Sequence, residues 1–193
     1  MSVADRSIDP RIIESAKEEF LQKGFLDASL QEICKNAGVT TGALYKRFKG
    51  KEELFCALVE STVQDLEEVV RQKSALPATL TDEQLKKAWD MDREYMQWWF
   101  DYLYDRYDEM RLLLVFSDGT KYANFEHEWV ERMSHTTYAY YKEAQRRGLT
   151  KTDISEKEMH VMLSSFWTAI CEPLIHGFTQ EEAGRISDLM CGL

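Results

Sequence analysis

Proline occurs only three times in 193 residues, at Pro10, Pro77 and Pro173, and glycine nine times. A chain so poor in turn residues has few breaks, and the alternation of apolar and polar residues that marks half-buried strands is nearly missing. Both scarcities exclude a sheet-rich fold and predict long helices. Cysteine is sparse too. Cys34, Cys56, Cys171 and Cys191 stand far apart with no CxxC pair. That removes the usual spacing for structural zinc and predicts reduced thiols in or near the core. No run of 18 apolar residues occurs, so no membrane partner is expected. The opening MSVADRSIDP has neither the basic nor the apolar region of a secretory signal, and the expected location is cytoplasmic.

Positive charge is also in short supply, with 24 bases against 34 acids and a net charge of −10. Attraction of nucleic acid to the surface as a whole is thereby excluded. The deficit is uneven. Residues 1–60 hold nine bases and ten acids, whereas residues 61–193 hold 15 and 24. Within the first part, Lys35 to Lys51 carries five Lys or Arg and no acid. One basic patch on an otherwise acidic chain can meet phosphate while the rest is repelled.

Helical periodicity accounts for most of what is present. A first helix is expected from Asp9 as cap and Pro10 as first helical residue, with Ile12, Ile13, Ala16 and Phe20 on its apolar face and Gly24 as its stop. Ser29 and Glu32 suit a capping box for a second helix that turns Leu30, Ile33 and Ala37 inward. A third is expected from about Thr41 to Phe48, and a long one from Lys51 to Lys73. Pro77 marks a break. Five more helices are expected near 82–106, 108–118, 122–147, 156–177 and 180–191, with boxes at Thr81/Gln84 and Ser155/Glu158 and a bend at Pro173. The predicted class is all-α, divided into residues 1–55, continuing into the connecting helix 51–73, and a larger helical domain over 56–193.

The pair of short helices between Ser29 and Phe48, joined at Ala37–Gly38, is a helix-turn-helix pattern. Val39, Leu44 and Phe48 suit anchoring of the second helix. Thr40, Thr41, Gly42, Tyr45 and Lys46 are then left to face outward, where such a helix enters the major groove. Gly42 permits close backbone approach, and the threonines offer hydroxyls and methyl groups. Lys46, Arg47 and Lys51 add charge, Lys51 at the start of the long helix.

The stretch SLQEICKNAGVTTGALYKRFKGKEELF, residues 29–55, resembles the DNA-binding signature of the TetR family of transcriptional regulators. The resemblance is carried by Ala37–Gly38–Val39, Gly42, Leu44–Tyr45, Phe48 and Lys51–Glu52–Glu53–Leu54–Phe55, with Phe20, Gly24 and Phe25 ahead of them. It implies an N-terminal three-helix DNA-binding domain and a C-terminal ligand-binding and dimerisation domain. It further implies a homodimer on a double-stranded, palindromic DNA operator, most often a repressor released by a small-molecule effector. Thr40, Thr41, Gly42, Tyr45 and Lys46 take operator-facing positions and Lys51 a phosphate-facing one. Many members carry Lys where this chain has Thr41, so base preference is not carried over. An activator or ligand-independent regulator fits the same residues, and a helical protein-interaction dimer without operator binding is the reading from another class.

Residues 89–107 hold eight of the chain's 23 aromatic residues, on more than one side of one helix. Trp and Tyr carry polar atoms that need partners in a sealed core, so an aromatic-lined pocket is expected. Its candidate lining is Tyr95, Trp98, Trp99, Tyr102 and Arg106, with Phe125, Trp129 and Phe166 from later helices. Asp92, Asp101, Asp105, Glu126 and Glu128 nearby would favour a flat cationic guest. Met162, Phe166, Ile170, Leu174 and Phe178 are the expected dimer face, where Ser165 and Ala169 allow close packing. His127, Glu131 and His135 recur at helical spacing, but three groups on one regular helix turn only partly toward one point, and no metal is assigned. With no Gly-rich phosphate loop and no nucleophile elbow, neither catalytic residue nor cofactor is assigned, and no enzyme is expected.

Overall fold

The computed structural model describes residues 8–74, 80–87 and 93–192. The expected break at Pro77, the junction inside the expected 82–106 helix, Trp89 and Asp92 lie outside the described residues, as do the side chains of Asp9 and Cys191. Among the described residues every regular element is an α-helix. In chain order these are α1 (Ile8–Asp27), α2 (Leu30–Ala37), α3 (Thr41–Tyr45), α4 (Lys51–Ser74), α5 (Asp82–Lys87), α6 (Arg93–Tyr104), α7 (Tyr107–Val115), α8 (Phe125–Arg146), α9 (Glu156–Ile175) and α10 (Gln180–Gly192). No helix among them is long and apolar enough to cross a membrane.

The chain packs as two units. One takes in the chain up to Val63 together with Asp108–Asn124; the other takes in Gln64–Tyr107 and Phe125 onward. No pattern in the sequence pointed to residues 108–124 as part of the amino-terminal unit.

In that unit, Ile12, Ala16 and Phe20 of α1 are fully buried with Ile33 of α2, Leu44 of α3, Leu54, Phe55 and Val59 of α4, and Met110 and Leu112 of α7. Each of these side chains larger than alanine contributes on the order of 1.5–3 kcal/mol of burial. Phe20 meets Phe55 edge-on at 5.2 Å, and Phe25 closes the cluster at 5.6 Å from Phe55. α1 begins at Ile8, ahead of the expected Pro10. Gly24, expected as its stop, breaks the helical path with φ 73 and ψ 168, and one more turn follows to Asp27. That break frees the Phe25 amide, which donates to the Phe116 carbonyl at 3.0 Å. Gly119 sits in the same loop with φ +86, and a Cβ there would stand 2.5 Å from Leu26 Cδ2.

The second unit packs α8 against α9, and α6 against both α9 and α10. Reciprocal caps open its helices as expected: Thr81 with Gln84, and Ser155 with Glu158. A third pairing, Thr179 with Glu182, opens α10; the Thr-x-x-Glu spacing in the sequence is its signal. Pro173 lies buried near the end of α9, which runs on to Ile175. Cys34, Cys56 and Cys171 are free thiols, Cys34 and Cys171 buried.

Candidate nucleic-acid interface and aromatic interior

α2 and α3 form the anticipated helix-turn-helix. Gly38 follows α2 in the left-handed conformation, φ 66 and ψ 34. Its amide and that of Val39 close the helix end on the Lys35 and Cys34 carbonyls at 3.1 and 2.9 Å. α2 opens differently from expectation. Ser29 Oγ accepts from the Glu32 amide at 3.4 Å, but the reciprocal half of the box is not made by Glu32. The Ser29 amide donates instead to Glu19 Oε1 at 3.0 Å. Glu19 is only 4% exposed and also receives the Lys23 ammonium at 2.8 Å. Burial opposes its charge, yet the bonds from Lys23 and Ser29 outweigh that and hold its carboxyl below the ordinary carboxylate range. Glu32, freed from capping, pairs with Lys35 at 3.1 Å.

Leu44 is fully buried and pins α3, with Val39 and Phe48 half-buried beside it. The outward residues follow. Thr40 caps α3, its hydroxyl oxygen accepting from the Ala43 amide at 3.2 Å; its own proton remains available to an acceptor outside. Thr41, Gly42 and Lys46 are exposed, Arg47 is half-buried, and Tyr45 is 56% exposed. Gly42 has no positive φ, and a Cβ added there would meet only Thr40 Oγ1, at an ordinary 3.9 Å. Nothing inside the fold therefore requires glycine at position 42.

Lys51 is committed within the unit. Its ammonium donates to the Leu26 and Ala28 carbonyls at 2.8 and 3.0 Å and lies 4.8 Å above the Phe25 ring. Two of its three protons thus hold the end of α1 against the start of α4. Just ahead of α4, the Lys49 amide donates to Glu53 Oε2 at 2.6 Å.

In the other unit the aromatic residues gather around three indoles. Trp99, Trp129 and Trp167 are 0–1% exposed. Trp99 crosses Trp167 edge-on at 5.3 Å and Trp129 at 6.4 Å, and Trp129 lies 5.4 Å from Trp167. Phe125 stacks on Trp129 at 6.4 Å, and Tyr95 on Phe166 at 6.1 Å. Trp98 faces outward, 41% exposed, in an open groove of about 640 Å³ with Arg93, Glu94, Gln97 and Asp101. Tyr102 stacks on Trp98 at 5.2 Å. Arg106 donates to Asp65 at 3.1 Å and to the Tyr102 carbonyl, with its guanidinium 4.1 Å above the Tyr102 ring; it links α4 to the end of α6. Trp167 sits at the centre of the cluster; on a helix apolar nearly all round, the spacing of residues does not separate it from its neighbour Phe166. The indole N–H groups of Trp129 and Trp167 and the Tyr102 hydroxyl are buried without a hydrogen-bond partner.

The residues expected at a dimer face divide. Met162 and Phe178 are 55% and 38% exposed, and Phe166 is half-buried. Ile170 and Leu174 are fully buried in the unit's own core. Val161 and Leu189 are exposed at 63% and 65%.

A capped pair of short helices, the second presenting tyrosine, lysine and an unneeded glycine to solvent, has the form of a DNA-binding helix-turn-helix. Residues 12–58 match the family model of bacterial regulatory proteins, tetR family, so this part of the chain is an amino-terminal domain of the tetR type. Over 57 residues, 30% of its length, it is 46% identical to the HTH-type transcriptional regulator SrpR of Pseudomonas putida, and that match covers 27% of SrpR. Across its full length it is 24% identical to the HTH-type transcriptional repressor AcnR of Corynebacterium glutamicum, of which 97% is covered. In fold it is similar to FadR of Bacillus subtilis in complex with stearoyl-CoA, with a TM-score of 0.60, 17% identity and 96% of each chain covered.

Proposed function

We propose that the protein is a ligand-responsive repressor that binds a palindromic operator as a homodimer and leaves it when a small aromatic or hydrophobic effector enters the body. The observation that carries this reading is Gly42: a glycine on the exposed side of α3 that the fold does not require, flanked by Thr41, Tyr45 and Lys46. A duplex approaching that surface gives the small residue its reason. Thr40 donates to a phosphate while capping α3, Lys46 and Arg47 supply charge, and the third proton of Lys51 is left for the backbone.

One such helix makes too few contacts for useful specificity, and two copies read half-sites about 34–36 Å apart or at a wrapped spacing. The second copy packs on the outward side of α9, along Val161, Met162 and Ser165. Regulation follows from α4, a single helix from Lys51 to Ser74 that begins in one unit and ends in the other. An effector that prefers the arrangement in which the two heads cannot dock together lowers DNA affinity; equal preference would shift nothing.

Selection of bound fragments from genomic DNA, followed by a reporter driven by the recovered promoter, tests the proposal. The expected result is a palindromic site whose promoter rises when the regulator is deleted. A promoter that falls on deletion overturns repression, and failure to retain any fragment overturns operator binding. Tyr45→Ala and Lys51→Ala weaken binding to the recovered site at fixed salt while the body stays folded.

A further inference from the structure

The seam between α8 and α9 holds a carboxyl group that its surroundings do not neutralise. Glu126, in the first turn of α8, is half-buried and hydrogen-bonded to Thr168 of α9. The next charge along that seam is Glu172, another acid, which pairs with His176 at 2.9 Å. Among the described residues no lysine or arginine is paired with Glu126. Burial, and then the Glu172 charge, push its carboxyl above the ordinary carboxylate range. Cys171, fully buried on the same stretch of α9, has its thiol pushed well up by burial and by both acids, which sets Glu126 and Glu172 on one patch.

A second, independent observation lies deeper at the same level. Trp129 stands one turn from Glu126 on α8, and Trp167 is the neighbour of Thr168 on α9. The two indoles are 5.4 Å apart and 0–1% exposed, and neither N–H has an acceptor. Buried donors are ordinarily paired. The seam therefore offers a half-buried acid without a base, two unspent donors and several aromatic rings. An anionic guest would meet the Glu126 carboxyl with no lysine or arginine paired to it, and Glu172 beyond. A neutral hydrocarbon would leave both the acid and the donors unmet.

We propose that the α8–α9 seam binds a flat aromatic cation carrying a hydrogen-bond acceptor, with Glu126 against its charge and Trp129 and Trp167 against its rings and acceptor. This deepens the effector reading above and rests on it. Glu126 forms the accessible mouth of the site, and the guest enters by displacing aromatic packing behind it.

Equilibrium dialysis of the full chain against three probes tests this: 6-methoxy-1-methylquinolinium, the neutral methoxymethylnaphthalene of the same shape, and an anionic methoxynaphthoate. The cation should bind at least about tenfold more tightly than its neutral counterpart, and the naphthoate most weakly. Glu126→Gln should bring the cation down to the neutral compound's affinity and leave the latter unchanged. The ranking on the unaltered chain decides independently of any variant. Equal affinity for cation and neutral compound, preference for the naphthoate, or undiminished cation binding by Glu126→Gln overturns the inference, and retained operator fragments would then leave the regulator reading standing. A chain that binds the cation through Glu126 yet retains no DNA upholds the inference and defeats operator binding alone.

Discussion

The amino-terminal unit and the body differ in where their functional polar groups lie. In the first, two charged groups are engaged at home: Glu19 by Lys23 and Ser29, Lys51 by the Leu26 and Ala28 carbonyls. What remains is displayed outward on α3, at Thr41, Tyr45 and Lys46. In the body, unmet groups lie inside, at the indoles of Trp129 and Trp167 and the hydroxyl of Tyr102. Unpaired donors under a sealed surface are costly, so the contrast tells where each partner is to be sought: beyond the surface at one end, within it at the other.

The largest expected effect breaks the contrast inside the body. Ile170→Ala removes a fully buried side chain and should lower unfolding free energy by about 2–5 kcal/mol in a denaturant titration. Met162→Ala, at an exposed position on the same helix, should change it by under about 0.5 kcal/mol yet weaken self-association in sedimentation. Indistinguishable stabilities would erase the division between core and face on α9. Next comes Glu19→Gln, expected to cost about 1–3 kcal/mol near neutral pH. Because the carboxyl of Glu19 titrates below its unfolded value, its contribution is complete above the ordinary carboxylate range and is lost as pH falls through the folded value. The variant and the unaltered chain should therefore converge in strong acid; a gap that persists there would show the loss to be steric.

Gly42→Ala sharpens the outward half of the comparison. Alanine is the better helix former, so stability should hold or rise by up to about 1 kcal/mol, while operator affinity falls about tenfold (~1.4 kcal/mol). Unchanged affinity would mean that the duplex does not come close at this point. The smallest effect is expected from Lys46→Ala: the slope of log affinity against log salt should fall by about one, with sequence preference preserved. An unaltered slope would place the ammonium away from phosphate.

What could be read from the sequence was what lies close together along the chain. The αL turn at Gly38, the caps at Thr81 and Ser155 and the burial of Leu44 all depend on partners within five residues or on a single helical face. The fate of the Ser29 amide was hidden because its acceptor, Glu19, lies ten residues back on another helix. Arg106 fell in line with an aromatic stripe, but its carboxylate partner, Asp65, is 41 residues away. On α9 the apolar residues run around most of the helix, so periodicity could not separate Ile170, in the core, from Met162, on the surface. Trp167 is hidden for the same reason: on a helix apolar nearly all round, its neighbours carry equal weight.

The course of the chain between the two units limits how this protein can be cut and recombined. The polypeptide leaves the amino-terminal unit at Val63 and returns for Asp108–Asn124. The returning stretch brings the Phe116 carbonyl to the Phe25 amide, the Lys121 amide to Glu52 at 3.0 Å and the Tyr122 hydroxyl to Glu60 at 2.9 Å. A hybrid regulator assembled by grafting only the first 63 residues onto a foreign body would strand those acceptors and donors. The transferable cassette is discontinuous, and whoever exchanges operator specificity among relatives has two pieces to move.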